Sequence, residues 1–312
     1  MELSYSTVRH TVLFEPARQP MIAEAVLQTI AYADVFDYPL TPAEIHRYLI
    51  GIKISPAEVE AFLQGSTLFN RSGGYFTLPG REKLAGIRRQ RERTAALLWP
   101  RAVRYGRVIA SLPFVRMVAI TGALAMNNVD QGADADFLIV TEPGRLWFCR
   151  ALVLLIGRLA ALQGITLCPN YLVSLHTLNF PDQTLYAAHE IAQMVPLSGL
   201  DVFARILEHN TWVADFLPNA FTAPVPIAPP YHSTPASTAR RAAEAILRTA
   251  PFTSLEHWEM DRKIRKLRFE QANSPESDFS ADYCKGHSQR HQAHTMAALN
   301  ERMNRLQNEV SL

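Results

Sequence analysis

The stretch VAITGALAMNN (118–128), VDQGA (129–133) and DADFLIVT (134–141) decides the fold. VAIT reads as a short buried strand. Gly122 follows it, where the backbone must turn tightly and approach a ligand, which a residue without Cβ permits. ALAMNN opens a helix, whose free N–H groups favour an anion. ADADFLIVT is a second strand with DFLIV as its buried run. Side chains alternate along a strand, so Asp134 and Asp136 share one face and their carboxylates can share a cation. Mg²⁺ takes oxygen ligands in octahedral geometry and keeps waters and substrate phosphates in its shell. Two carboxylates opposite a glycine turn therefore suit a nucleoside triphosphate. There a metal offsets developing charge and aligns an attacking hydroxyl.

Upstream, residues 22–33 (IAEAVLQTIAYA) read as a helix. Thr41-Pro42-Ala43-Glu44 and Ser55-Pro56-Ala57-Glu58 each place a hydroxyl at the N-cap, proline at N1 and glutamate at N3. Each is a capping box, and together they mark two short helices. Leu68-Phe69, a turn over Asn70–Gly74 and Tyr75–Leu78 read as a hairpin. Three helices and a hairpin are the order of a winged helix, here over residues 1–80. Such a module often enters a DNA groove. The candidate recognition helix, PAEVEAFLQG (56–65), carries Glu58 and Glu60 and no Lys or Arg, a face that repels phosphate. A structural or protein-contact role is favoured over DNA reading.

Residues 81–107 hold nine Lys/Arg against two Glu. Arg88, Arg89, Arg91 and Arg93 cannot all share one helix face, so the segment reads as a solvated connecting helix. The alternative is a phosphate-attracting surface beside the site. A domain over 108–222 carries the acidic pair. Within it Trp147, Phe148, Leu152, Leu155 and Ile156 recur at helical spacing and read as core. Arg145 reads as a solvated side chain or a phosphate contact. ALVLLIG (151–157) is bracketed by Arg150 and Arg158, too short a run to span a bilayer. Residues 223–236, rich in proline, form an extended connector. A helical C-terminal region covers 237–312, with helices near 237–249, 254–272 and 286–308.

The motif resembles the DNA polymerase β-like nucleotidyltransferase superfamily, in which a Gly-Ser turn precedes Asp-x-Asp or Asp-x-Glu on a strand. The matching residues are Gly122-Ala123, then Asp134 and Asp136. YADVFDYPLT (32–41), GRLWFCR (144–150), CPNYLVS (168–174) and AAHEIAQMVPL (187–197) are similar to a bacterial group within it, one with a winged-helix-like segment ahead of the transferase motif. The resemblance implies an α+β fold with a mixed sheet flanked by helices and Mg²⁺ bound by Asp134 and Asp136. It also implies transfer of a nucleoside monophosphate from an NTP with loss of pyrophosphate. Gly122, Ala123 and Asn127 would then cradle phosphates. Ala123 replaces the usual serine and cannot donate a side-chain hydrogen bond. A third carboxylate is expected from a later strand, here CPNYLVSLHTL, where Asn170, Leu172, Ser174 and His176 share a face and none is acidic. Asn170 as ligand, His176 as base and Glu190 on a following helix are the candidates in its place.

Other features read as structural. Asp34 and Asp37 suit turn and cap chemistry. His287, His291 and His294 share a helix face with Zn²⁺-like spacing but read as surface histidines, and Lys285 with His287 is a remote candidate for a phosphate contact. Cys149, Cys168 and Cys284 are too few and scattered for a disulfide framework, Cys168 reads as buried, and a cytoplasmic setting is expected. At net charge +2 the chain is no polycation, so nucleic-acid affinity, to tRNA or DNA, requires a local patch. Partners are an NTP and an acceptor (a small molecule, a protein side chain or an RNA end), with no membrane. The rival reading is a weak or inactive nucleotide- or nucleic-acid-binding regulator on the same fold.

Overall fold

Strands apolar at nearly every position must be covered on both faces, and this requirement organises the centre of the chain. A computed structural model describes residues 18–222, 238–270, 278–285 and 291–310. The strands are β1 (Asn70–Ser72), β2 (Tyr75–Thr77), β3 (Val115–Thr121), β4 (Ala135–Thr141), β5 (Leu167–Ser174), β6 (Val195–Ser198), β7 (Asp278–Phe279) and β8 (Tyr283–Lys285). β1 and β2 form a hairpin, and the other six form one sheet in the order β6-β3-β4-β5-β8-β7. The β4–β5 pair is parallel and the remaining pairs are antiparallel. Met117, Ala119, Leu138 and Val140 face one core, and Val118, Ile120, Phe137 and Ile139 face another on the opposite side. The architecture is α+β, a mixed sheet flanked by helices.

The helices are α1 (Gln19–Asp34), α2 (Pro42–Arg47), α3 (Pro56–Gly65), α4 (Leu84–Ala110), α5 (Gly122–Ala125), α6 (Leu146–Ala161) and α7 (Leu185–Gln193). They continue as α8 (Leu200–His209), α9 (Val213–Phe216), α10 (Pro218–Thr222), α11 (Thr238–Leu247), α12 (Ala250–Glu270) and α13 (His291–Val310). Among the described residues, no helix is long and apolar enough to cross a membrane. Both capping boxes form. Glu44 N–H donates to Thr41 Oγ1 at 3.3 Å while Thr41 N–H donates to Glu44 Oε2 at 2.9 Å, and Ser55 and Glu58 repeat the exchange. The hairpin turns on Gly73-Gly74, both at positive φ, and a Leu40–Phe76 bridge ties it to the chain between α1 and α2.

The basic helix departs from expectation. Arg88 is buried and lies 4.0 Å from the Tyr38 ring centroid and 4.7 Å from that of Tyr75. It forks onto Glu44 at 2.7 and 2.9 Å and reaches Glu92 at 2.9 Å. Arg91 grips Asp130 at 2.9 and 3.1 Å and donates to the Phe36 carbonyl at 3.1 Å. Only Arg89 and Arg93 of the four remain exposed. A guanidinium keeps its charge when buried if a carboxylate fork meets it, and here that chemistry clamps α2, the turn after α1 and the hairpin to α4. Asp34 does more than end a helix: it is buried and paired with Arg81 at 2.9 Å and with Arg302 of α13 at 2.8 Å.

Other corrections follow from packing. The C-terminal region is not wholly helical, because β8 pairs antiparallel with β5 through Tyr171–Lys285, Leu172–Cys284 and Val173–Tyr283. Strands of two and three residues carry no readable periodicity, yet they cover an edge that would otherwise leave its backbone unpaired. Leu155 is exposed rather than core. Arg145 is neither solvated nor a phosphate contact; it is buried 5.1 Å from the Phe114 ring centroid and donates to Thr253 Oγ1 at 2.9 Å. The proline-rich connector and His287 lie outside the described residues.

Glu244 of α11 is buried against the far end of the sheet and accepts from Phe114 N–H at 2.8 Å, Arg116 at 2.9 Å and Arg240 at 3.2 Å. Burial opposes its charge, but these donors outweigh it and hold the carboxyl down at about 2. A depressed carboxyl stabilises the fold above its ordinary range and loses that contribution as pH falls toward 2. Glu244→Gln is expected to cost roughly 2–4 kcal/mol at pH 7 by urea unfolding, since two guanidinium groups lose the carboxylate they share. The deficit should shrink at pH 3. An unchanged midpoint at pH 7 would mean that water already serves the cluster.

Candidate functional site

β3 and β4 are registered so that Thr121 faces Asp136. Immediately after Thr121 the chain turns at Gly122 with φ +62, a conformation that L side chains rarely adopt. A Cβ placed on Gly122 would lie 2.5 Å from Asp136 Oδ2, so glycine is required twice, for the turn and for the carboxylate beside it. Asp136 has the parity of Leu138 and Val140, and Asp134 precedes it by two residues, as strand alternation demands. The parallel β4–β5 register sets Cys168 beside Asp136. Asp134, Asp136 and Cys168 each bring one potential ligand atom within 4.8 Å of the others.

β5 then gains a residue: two steps along β4, Asp136 to Leu138, match three along β5, Cys168 to Tyr171. This bulge at Pro169-Asn170 breaks the expected alternation. Leu172 turns to the core on the α6 side, whereas Val173 joins the opposite one. Cys168 and Asn170, two residues apart ahead of this reset, line the same cavity, with Cys168 Sγ donating to Asn170 Oδ1 at 3.6 Å.

The cavity holds about 620 Å³. Its floor is Gly122, Ala123, Asp134, Asp136, Cys168 and Asn170, joined by Glu190 from α7. Tyr32, Phe36, Tyr38 and Tyr48 from the N-terminal helical segment complete the lining. Among the described residues, no Lys or Arg lines it. Burial first, then the Asp134 and Glu190 carboxylates, push Asp136 up to about 7. Burial pushes Glu190 up to about 7 as well, with Lys285 opposing the rise. The Cys168 thiol is driven far above its usual range by burial and by the two aspartates. Carboxylates crowded in this way await a cation or a proton.

Six of the eight expected site residues meet here: Gly122, Ala123, Asp134, Asp136, Asn170 and Glu190. Two do not. Asn127 sits at φ +55, and its Oδ1 accepts from Trp99 Nε1 at 2.7 Å, so Asn128 lines the cavity instead. The cause is that α5 lasts one turn, too short to present a helix N-terminus to an anion. His176 lies beyond the end of β5, where Thr177 N–H bonds back to Ser174 O at 3.0 Å. Its side chain is 71% exposed and stands 3.9 Å from Asp282, outside the cavity lining. Lys285 is likewise not free for phosphate: it is buried and ion-paired with Asp182 at 2.5 Å. His291 of α13 does reach the cavity, while His294 is exposed elsewhere on that helix.

Sequence reasoning missed Cys168, His189 and the aromatic wall. Laying LCPNYLVS from Leu167 beside ADFLIVT from Ala135 as parallel neighbours pairs Cys168 with Asp136 and finds the first. No local signal announces the tyrosines, which arrive from about 90 residues upstream. No family model, curated protein or solved structure matches the chain.

Proposed function

We propose that the chain is a Mg²⁺-dependent nucleotidyltransferase of the DNA polymerase β-like kind, carrying a winged-helix-like N-terminal module and acting in the cytoplasm. The observation that carries this reading is the contact of Asp136 with Gly122: two carboxylates on one face beneath a side-chain-free turn, at the floor of a cavity large enough for a mononucleotide. The paired carboxylates fit a hard divalent cation, and a cation is needed because no basic side chain among the described residues faces phosphate there. The sulfur of Cys168 is a softer neighbour than such an ion prefers. Bound there, the metal supplies charge neutralisation on the triphosphate.

Asp134 and Asp136 would hold it, and because Ala123 lacks a serine hydroxyl for the phosphates, their charge would fall chiefly to the metal. An acceptor oxygen attacks the α-phosphorus, the α–β phosphoanhydride bond breaks and pyrophosphate leaves. Glu190 takes the acceptor's proton; a carboxyl raised to about 7 is matched to that task near neutral pH. Glu190 on α7 replaces the missing strand carboxylate as the third acid. The acidic, cation-free cavity and the acidic exposed face of α3 favour a small-molecule or protein acceptor over tRNA or DNA.

Mg²⁺-dependent pyrophosphate release from the four NTPs across an acceptor panel tests this. The double variant Asp134→Asn, Asp136→Asn is expected to lower it at least 1,000-fold, roughly the scale of losing a principal electrostatic element; unchanged release rejects the site. Ala123 supports a second reading, a nucleotide-binding regulator. NTP binding with no release under any condition would select it.

A further inference from the structure

Catalysis as proposed uses only the floor of the cavity. The aromatic part of its lining is of different chemistry. Tyr32, Tyr38 and Tyr48 are buried there, and His189 of α7 packs against Tyr32 and Tyr48. The His189 ring stacks on Tyr32, with centroids 4.0 Å apart and planes within 9°, and tilts against Tyr48 at 5.7 Å. Gln193 Nε2 lies 3.2 Å from His189 Nδ1 and donates to it, so the ring proton sits on Nε2. His189 is 4% exposed, and Nε2 has no hydrogen-bond partner among the described residues. Folded proteins retain few such orphans, and each one asks for an explanation. Burial also holds this imidazole down at about 3, so it is a neutral donor at every physiological pH.

Flat rings with one fixed N–H donor and no cation do not suit a phosphate or a carboxylate. They suit a planar heteroaromatic ring that stacks on tyrosine and offers an acceptor at its edge. We propose that Tyr32, Tyr48 and His189 form the seat of the nucleobase, which packs on this wall and accepts a hydrogen bond from His189 Nε2. The proposal rests on the metal–nucleotide reading of the same cavity. It gives the N-terminal helices a task that their acidic surface denies them at DNA: they choose which nucleotide enters.

The test uses the full chain and ligands that separate the two sides. Adenosine, guanosine, cytidine and uridine carry the ring without phosphate or metal. At least one is expected to bind the wild-type protein saturably in calorimetry. His189→Phe keeps a ring but removes the donor and should weaken that binding about tenfold; Tyr32→Leu should do so by at least as much. In histidine-¹⁵N-labelled wild-type protein the same nucleoside should shift the His189 imidazole N–H resonance, a readout that needs no variant to fold. Absence of binding by all four nucleosides, an unmoved resonance, or unaltered affinity in both variants overturns the proposal. Failure of the metal reading shows separately, as no Mg²⁺-dependent binding of inorganic tripolyphosphate, which has no ring.

Discussion

Asp136→Asn is expected to raise the melting temperature of the metal-free protein at pH 8 and to abolish its response to Mg²⁺. In the wild type, burial and two neighbouring carboxylates lift the Asp136 carboxyl to about 7 from an ordinary value of 3.8. An acid whose folded pKa is raised stabilises the protein when protonated, and that contribution is lost as pH climbs from the ordinary value through the folded one. At about 1.4 kcal/mol per unit, the ionised side chain costs on the order of 2–4 kcal/mol by pH 8. Solvent reaching the cavity favours the lower figure. Asparagine has no charge to bury, so the variant should melt several degrees higher at pH 8 and near the wild type at pH 4, using roughly 2–4 °C per kcal/mol. Mg²⁺ should restore the wild type's deficit at pH 8 and do little at pH 5, where protons compete for the ligands. Thermal denaturation at the two pH values, with chelator and with Mg²⁺, reads both effects. A variant less stable than wild type at pH 8, or one still stabilised by Mg²⁺, removes Asp136 from the proposed centre.

The second large effect is expected at Gly122. Gly122→Ala forces a Cβ into a left-handed backbone at about 1–2 kcal/mol and sets that atom 2.5 Å from Asp136 Oδ2. The carboxylate must swing away, and displacements near 1 Å in such constellations cost about 100-fold in rate. Gly144 supplies the control. It too has positive φ (+68), but nothing lies within 4 Å of an added Cβ. Gly144→Ala should lose comparable stability and keep Mg²⁺-dependent pyrophosphate release, whereas Gly122→Ala should lose at least 100-fold of it. Equal activities in the two variants would show that the turn does not shape the acidic pair.

What the sequence discloses here is local. Thr41 and Ser55 announce helix starts because a capping box is closed within four residues. Asp134 and Asp136 share a face because strand alternation is a property of three consecutive residues. Failures begin where a side chain's position depends on distant chain. Strand alternation puts Asn170 on one face with Leu172, but a bulge at Pro169-Asn170 resets the pleat, a choice made by the β4–β5 pairing. His176 shares that face only if the strand continues, and β5 ends two residues earlier at Ser174. Arg88 read as a solvated charge because nothing near it in sequence reveals Glu44 and Tyr38 closing over it. β7 and β8 exist only because β5 offers an edge. Cys168 reads as merely buried in the sequence, since its relation to Asp136 appears only when β4 and β5 are laid side by side.

The Arg88 clamp has a practical corollary for anyone dissecting the chain by truncation. Deleting everything before residue 81 would leave a guanidinium stripped of Glu44 and Tyr38, and would bare apolar residues of α10 and α13 to water. Such fragments should precipitate rather than report on a minimal catalytic unit. Single substitutions, not shortened expression products, are the tool this architecture permits.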